Sequence, residues 1–424
     1  MKSTIVIGAG AAGLAAAHQL SKVGEPVIVL EGRRRLGGRI LTNLGNNGEP
    51  VELGAEFIHG RPPDLCGLIN EAGLSLSEVT TEERLSRGGQ LARVDSLWKG
   101  YSQLLDRIRD SAIDQPFLAF LNSQQDLAGD LKQFAVHYVE GFNAADADRI
   151  GIQAVACEEE ASDEMDGDRL ARIVQGYSRL IDWFEEQLKS RNVPLHLGIR
   201  VKNISWEPGA VRVMDSSDRT FEGVRVIITV PLGVLQSGDI TFDPPVSEKE
   251  AVIQSLEMGP VVKLHLQFRS PFWGEEDFGF IHAVDESMPT WWSHPRGHWL
   301  TGWAGGTKAR HLQKITQEQL ALEALEILAR LFGVQRETVM QELQTVHSHD
   351  WSADSFSRGA YSYIPAGLVN SQQELAEPVQ ETLFFAGEAT SLDSQLGTVH
   401  GAISSGNRAA RQVLQSILAR KTVD

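Results

Sequence analysis

The sequence predicts an α/β fold in which two domains are woven together rather than strung end to end. Three observations predict it. The first 31 residues read as strand, turn, helix and strand, the opening of a parallel sheet with a crossover helix. The region from 82 to 168 changes character, being polar, rich in Leu and Ala and helical in periodicity. The last 45 or so residues return to an apolar strand followed by a helix, and 424 residues exceed one ordinary core.

Taken in order, residues 4–7 are a β-branched run and read as a buried strand. Residues 8–13 form a turn, and 14–23 are Ala-rich and run into Gly24, a helix with a glycine stop. Residues 27–30 make a second strand that delivers Glu31. After the region 82–168, which shows few strand signals, residues 169–189 read as one amphipathic helix. Residues 195–230 read as several short strands, with turns at Glu207-Pro208-Gly209 and at 215–218. A strand is expected over 261–268 around Lys263, a helix over 317–331, a strand over 383–386 and a final helix over 399–418. No internal repeat or low-complexity tract appears.

Bulk properties narrow the function. Asp plus Glu is 56 against 39 Lys plus Arg, a net charge of -17. Such a surface repels nucleic acid and anionic membranes and attracts cations. The two cysteines, Cys66 and Cys157, are far apart and form no CxxC motif. With no signal-peptide pattern and no run of 18 apolar residues, a cytoplasmic protein is expected, monomeric or homodimeric. His347-Ser348-His349-Asp350 lacks the ligand spacing of a full site and reads as a loop, so no metal is expected. Glu158-Glu159-Glu160 with Asp163 and Glu164 could steer a polycation, but a solvated face is the preferred reading. No GxSxG or HExxH motif supports hydrolysis.

The most informative motif is Gly8-Ala9-Gly10-Ala11-Ala12-Gly13. It follows a strand, opens a helix and precedes an acid at the end of the next strand, which is the context a dinucleotide requires. Gly8 permits the turn, Gly10 admits a pyrophosphate near the backbone, and Gly13 lets helix and strand pack closely. The helix start offers free N–H groups to phosphates, and Glu31 can accept from a ribose hydroxyl. Past it, Gly32, Arg33, Arg34, Arg35, Gly37, Gly38 and Arg39 follow. Arg39, beside the glycine pair, is read as a phosphate partner, and Arg34 as solvated.

This run resembles the flavin amine oxidase superfamily, which includes monoamine oxidases, polyamine oxidases and lysine-specific histone demethylases. Further segments carry the resemblance in the same order: 53–60 (LGAEFIHG), 230–235 (VPLGVL), 262–266 (VKLHL), Trp351 with 359–363 (GAYSY), 385–390 (FAGEAT) and 397–402 (GTVHGA). It implies a Rossmann-type FAD-binding domain (1–80, 175–245 and 376–424) interleaved with an α+β substrate-binding domain (81–174 and 246–375). By resemblance, Gly54, Ala55 and Glu56 line flavin and substrate. Val201 holds the adenine through its backbone. Gly387 and Glu388 hold the ribityl or pyrophosphate part, and Thr398 and Val399 sit by the ring at a helix start. Lys263 reaches flavin N5 through a water, Trp351 and Tyr361 form an aromatic wall, and His59 orients the amine or relays a proton.

Departures refine the resemblance. Monoamine oxidases attach FAD to a cysteine where this chain has Ala360, so non-covalent FAD is implied. Their second wall tyrosine is Thr398 here, as in polyamine oxidases and the demethylases, and the demethylases' extra domain and coiled coil are missing. The implied reaction is hydride transfer from an amine, best a polyamine, with the imine hydrolysed to aldehyde and oxygen reduced to hydrogen peroxide. An L-amino-acid oxidase is the alternative; it needs an arginine for a carboxylate, for which Arg61 is available. A non-catalytic flavin-binding protein is the other, which the presence of Lys263, Trp351 and Tyr361 argues against.

Overall fold

The computed structural model describes residues 3–80, 82–274 and 278–421; the outer ends of the first expected domain, 1–2 and 422–424, and residue 81 at the domain boundary lie outside them. A five-stranded parallel sheet runs in the order Leu195–Leu197, Val27–Glu31, Thr4–Ile7, Arg225–Ile228, Leu383–Phe385. Its central strands are buried on both faces, which is why they read as unbroken apolar runs rather than alternating ones. The chain turns after Ile7 at Gly8, whose φ of +104° disfavours any side chain. It then runs back as the helix Ala11–Lys22, which packs on the last helix, Val399–Lys421. That approach is close: a Cβ on Gly406 would stand 2.2 Å from the carbonyl oxygen of Ala12. Leu14, Leu20, Phe184 and Ile403 fill the core between the helices and the sheet.

The second sheet has seven strands in the order Leu343–Ser348, Val261–Phe268, Trp299–Gly305, Thr290–His294, Phe280–His282, Glu83–Arg87, Gln90–Arg93. The helix Gln317–Phe332 covers it through Leu320, Leu325 and Leu328. Thr316 and Gln319 form a reciprocal cap at its start and Gly333, at φ +63°, ends it; such a cap is worth about 1 kcal/mol. Four helices, Asp95–Arg109, Phe117–Ser123, Gly129–Phe142 and Ile152–Asp163, gather around Tyr101, Leu104 and Phe134. No helix among the described residues is long and apolar enough to cross a membrane.

Two expectations need correction. The region 82–168 is helical only from Asp95 onward; before it, Glu83–Arg87 and Gln90–Arg93 form a hairpin whose first strand pairs in parallel with Phe280–His282. Residues 169–189 are not one helix. Leu170–Ile173 is a strand pairing with Ile58–His59 and Leu76–Glu78, and the helix starts only at Ser178, after Gly176 at φ +91°. In both places non-local pairing overrides a weak local helical pattern. His347 and Ser348 likewise belong to a strand, paired with His265 and Leu264, rather than to a loop.

Candidate active site

A cavity of about 980 Å³ runs from the glycine turn to the helical cluster, large enough for a dinucleotide and a substrate together. At its first end stand Gly8, Gly10, Ala12, Glu31, Gly32, Arg33, Gly38 and Val201. The helix Ala11–Lys22 has no side-chain cap, so its first N–H groups face the cavity free for an anion. Gly10 leaves a true gap: a Cβ there would meet Gly38 Cα at 3.8 Å and nothing nearer. Gly13 has the opposite reason, since its Cβ would stand 2.0 Å from the Gly8 carbonyl oxygen. The Glu31 carboxylate is fixed by the N–H groups of Ala9 (2.7 Å) and Arg33 (2.8 Å), leaving lone pairs for a diol. These features fit the nucleotide half of FAD.

Two arginines are engaged within the protein. Arg33 pairs with Asp354 at 2.8 Å and donates to Ser357, with its guanidinium over Phe356. Arg39 donates to the Ala360 carbonyl at 2.7 Å and to Glu388 at 2.9 Å. Glu388 also accepts from Ser362 Oγ (2.7 Å) and Gly397 N (3.1 Å). The side chain of Glu388 therefore ties Arg39, the 361–363 strand and the 397 turn together, while the residue still lines the cavity beside Gly387.

The middle of the cavity is built on Lys263, which is 4 % exposed. Its Nζ lies 2.8 Å from Glu52 O, 3.2 Å from Gly54 O and 2.6 Å from Glu56 Oε2. An ammonium has three N–H donors, and these three acceptors use them all. Glu56 also receives Arg172 Nε at 2.8 Å and Trp292 Nε1 at 3.1 Å. Burial alone would raise its carboxyl, but the Lys263 ammonium and the Arg172 guanidinium win and hold it well below the usual carboxylate range. Glu56 thus lines the cavity while its carboxylate serves Lys263. The carboxylate of nearby Glu52 pairs with no cation, and burial, outweighing the more distant Lys263 charge, pushes it up to about 7.

The wall is set by backbone. Gly54 allows Trp351 to close in, since a Cβ there would clash with Arg39 O at 1.8 Å and approach the indole at 3.1 Å; Trp351 Nε1 donates to Leu53 O at 2.9 Å. Tyr361 lies against Gly397 and donates its hydroxyl to Phe142 O at 2.7 Å. Thr398 caps the last helix, accepting from Gly401 N at 2.9 Å, with Val399 and Ala55 beside it on the cavity wall. His59 sits edge-on to Phe142 and Phe57, and burial lowers it to about 4, so it is neutral near pH 7.

The outer chamber corrects the reading as a solvated face for Glu158 and Glu159, while Glu160, Asp163 and Glu164 are exposed as that reading expected. Glu159 lines the cavity with Asp163, and Glu158 turns inward to Asn143. Burial, with Glu159 and Glu388 nearby, pushes Glu158 up to about 8, and burial takes Glu159 to about 7. A folded pKa above the unfolded one gives stability that is present below about pH 4 and lost as pH rises through the folded value. The melting temperature is therefore expected to fall between about pH 5 and about pH 9. Cavity water tempers the effect to on the order of 1 kcal/mol. Glu158→Gln should flatten the slope; an unchanged slope in thermal melts would show that this carboxyl is not its source. Arg61, by contrast, is tied to Gly60 O and Glu78 and lies outside the cavity lining. The sequence missed Trp292, His137 and His282, which line the cavity, and Arg172, which pairs with Glu56, because each is brought there by contacts distant in sequence; nothing local in the acidic run signalled its interior side. Among the described residues no group of three His, Cys, Asp or Glu is placed to hold a metal.

Comparison with known proteins agrees with this geometry. The chain is 29% identical to polyamine oxidase 3 of Oryza sativa subsp. japonica, covering 99% of this chain and 90% of that one. It is 30% identical to polyamine oxidase 2 of Arabidopsis thaliana over 99% and 89%. It is 29% identical to lysine-specific histone demethylase 2 of Homo sapiens, of which it spans only 53%. Among solved structures, putrescine oxidase bound to putrescine superposes with a TM-score of 0.85 at 22% identity, over 98% and 99% of the two chains, a likeness of fold. Residues 11–414 match the flavin containing amine oxidoreductase family, and the chain belongs to that family of amine-oxidising flavoenzymes.

Proposed function

We propose that this chain is a polyamine oxidase that holds FAD without a covalent bond. The observation that carries the substrate class is the charge of the cavity. Around its nucleotide end, Glu31, Glu56, Asp239 and Glu388 are matched by Arg33, Arg39, Arg200 and Lys263. In the outer chamber, Glu82, Glu83, Asp95, Glu159, Asp163 and Asp168 face only Arg93 and Arg109. A chamber with that excess of carboxylates concentrates cations. The polyamine oxidases among the relatives support the same reading. Non-covalent attachment is supported by Ala360 on the wall and by Cys66 and Cys157 lying outside the cavity lining. The proposed division into an FAD-binding domain (1–80, 175–245, 376–424) and a substrate-binding domain is supported by the parallel sheet, which draws strands from all three of the first domain's segments.

When bound, the flavin supplies the acceptor for the hydride leaving the carbon next to the amine nitrogen, with oxygen taking both electrons onward to hydrogen peroxide. The protein's part is orientation and charge. Trp351 and Tyr361 flank the amine, Lys263 fixes positive charge at the reacting end, and neutral His59 is free to orient the amine once it has given up its proton to water and its lone pair can act. Water then converts the imine to an aldehyde and a shorter amine. An L-amino-acid substrate finds no support, because Arg61 is tied outside the cavity.

The test is peroxide release from a panel of spermidine, spermine, putrescine, benzylamine and L-leucine. Peroxide is expected from the polyamines, with kcat/KM at least about tenfold above that for benzylamine, as one lost charged contact would give. A preference for L-leucine or for benzylamine would refute the polyamine reading.

A further inference from the structure

One row of residues crosses the seven-stranded sheet. The register pairs Lys263 with Trp303, Trp303 with Thr290, and Thr290 with His282. Residues paired in this way stand side by side on one face, and all four line the cavity. Three strand spacings separate Lys263 from His282, about 14 Å. At the far end of the row, His282 Nδ1 lies 3.0 Å from His137 Nε2, which also faces Thr290 Oγ1 at 3.5 Å. On its other side His282 Nε2 is 3.4 Å from Glu83 Oε2, yet it is buried and makes no hydrogen bond of good geometry. Trp98 Nε1 donates to the same carboxylate.

We propose that Glu83, His282 and His137 form a second ammonium subsite, which takes the remote amino group of a linear aliphatic amine whose reacting end lies beside Lys263. The proposal rests on the amine-oxidase reading and deepens it by naming the groups that measure the substrate's length.

The chemistry follows from donors and acceptors. An ammonium brings only N–H donors and needs acceptors within a few ångströms. Glu83 supplies a carboxylate that is partly open to the cavity, its side chain 23% exposed. With its proton on Nε2 toward Glu83, His282 accepts from His137 at Nδ1, so the two rings orient the carboxylate that takes the ammonium. His137 is kept neutral by its burial, by His282 and by Lys308, so it does not repel the cation. Trp98, Trp303 and Phe280, all on the cavity wall, offer apolar faces to methylenes and electron-rich faces to a cation. A monoamine leaves the Glu83 carboxylate without its cation, and a short diamine cannot span the row.

The test is equilibrium binding of α,ω-diaminodecane and decylamine to the FAD-loaded protein. The wild type is expected to bind the diamine at least about tenfold more tightly. Glu83→Gln, which keeps an acceptor for Trp98, should bring the two probes to within about twofold by removing the charge. Should that variant not fold, His282→Gln is held to the same expectation. Equal wild-type affinities, or a preference that survives loss of Glu83 and His282, would overturn the subsite. A clear diamine preference in a protein that oxidises no amine would sustain the subsite and sink the oxidase reading instead.

Discussion

Lys263→Met is expected to lower amine-dependent peroxide production by about 10²–10³-fold, the range for removing one preorganised charge from an active site. The same change should cost stability. Glu56, also 4 % exposed on its side chain, loses the cation 2.6 Å away and keeps only Arg172 and Trp292. Breaking a buried pair from one side costs about 3 kcal/mol, a fall of several degrees in Tm for a chain of this length. Adding Glu56→Gln to the methionine variant should cost less stability than the sum of the two single changes, since both break the same pair, and should recover none of the activity. The two readouts separate the roles of Lys263 as ion-pair partner and as active-site cation. Melts and peroxide assays on the single and double variants check it. Losses of stability that simply add in the double variant would disprove the pairing, and a fully active Lys263→Met would remove the lysine from the chemistry.

Gly10→Ala should leave a folded protein that has lost its cofactor. Its φ of -77° suits alanine, and the new methyl would touch only Gly38 Cα, at 3.8 Å. It would occupy the gap through which a diphosphate reaches the helix start. Losing the charge-assisted hydrogen bonds there, about 3 kcal/mol, weakens FAD about a hundredfold. Gly13→Ala gives the contrasting result. Its Cβ would sit 2.0 Å from Gly8 O and 2.8 Å from Thr229 Oγ1, so the turn itself breaks and the protein loses stability with or without cofactor. Flavin content by absorbance and apoprotein melts distinguish them. Equal flavin retention in Gly10→Ala and the wild type would place the diphosphate elsewhere.

Parts of this site were legible because their chemistry is local. Gly8, Gly10, Gly13 and Glu31 declare themselves within one βαβ unit, where turn, close approach and acid fall at fixed offsets. Val261–Phe268 was readable because it is apolar except at three positions, of which Lys263 is one. What stayed hidden is decided by partners distant in sequence. Nothing near Glu56 tells that Arg172 and Lys263 converge on it from 116 and 207 residues away. The hairpin over Glu83–Arg93 exists because the sheet edge at Phe280–His282 accepts it. The acidic run misled for a related reason: a helix face lined with carboxylates reads the same whether it borders bulk water or an internal chamber. Arg39 and Glu388 were expected at the cofactor and both line the cavity, but their pairing with each other is a tertiary fact.

The central claim is that an amine and a flavin meet at the Lys263 end of one continuous cavity. Anaerobic titration of the purified protein with spermidine, followed by visible absorbance, tests it most directly. A yellow protein whose colour bleaches on adding the amine, returns with air, and passes into the supernatant on acid precipitation is the predicted result. A colourless protein that takes up no added FAD, or a yellow one that no amine bleaches, would contradict it.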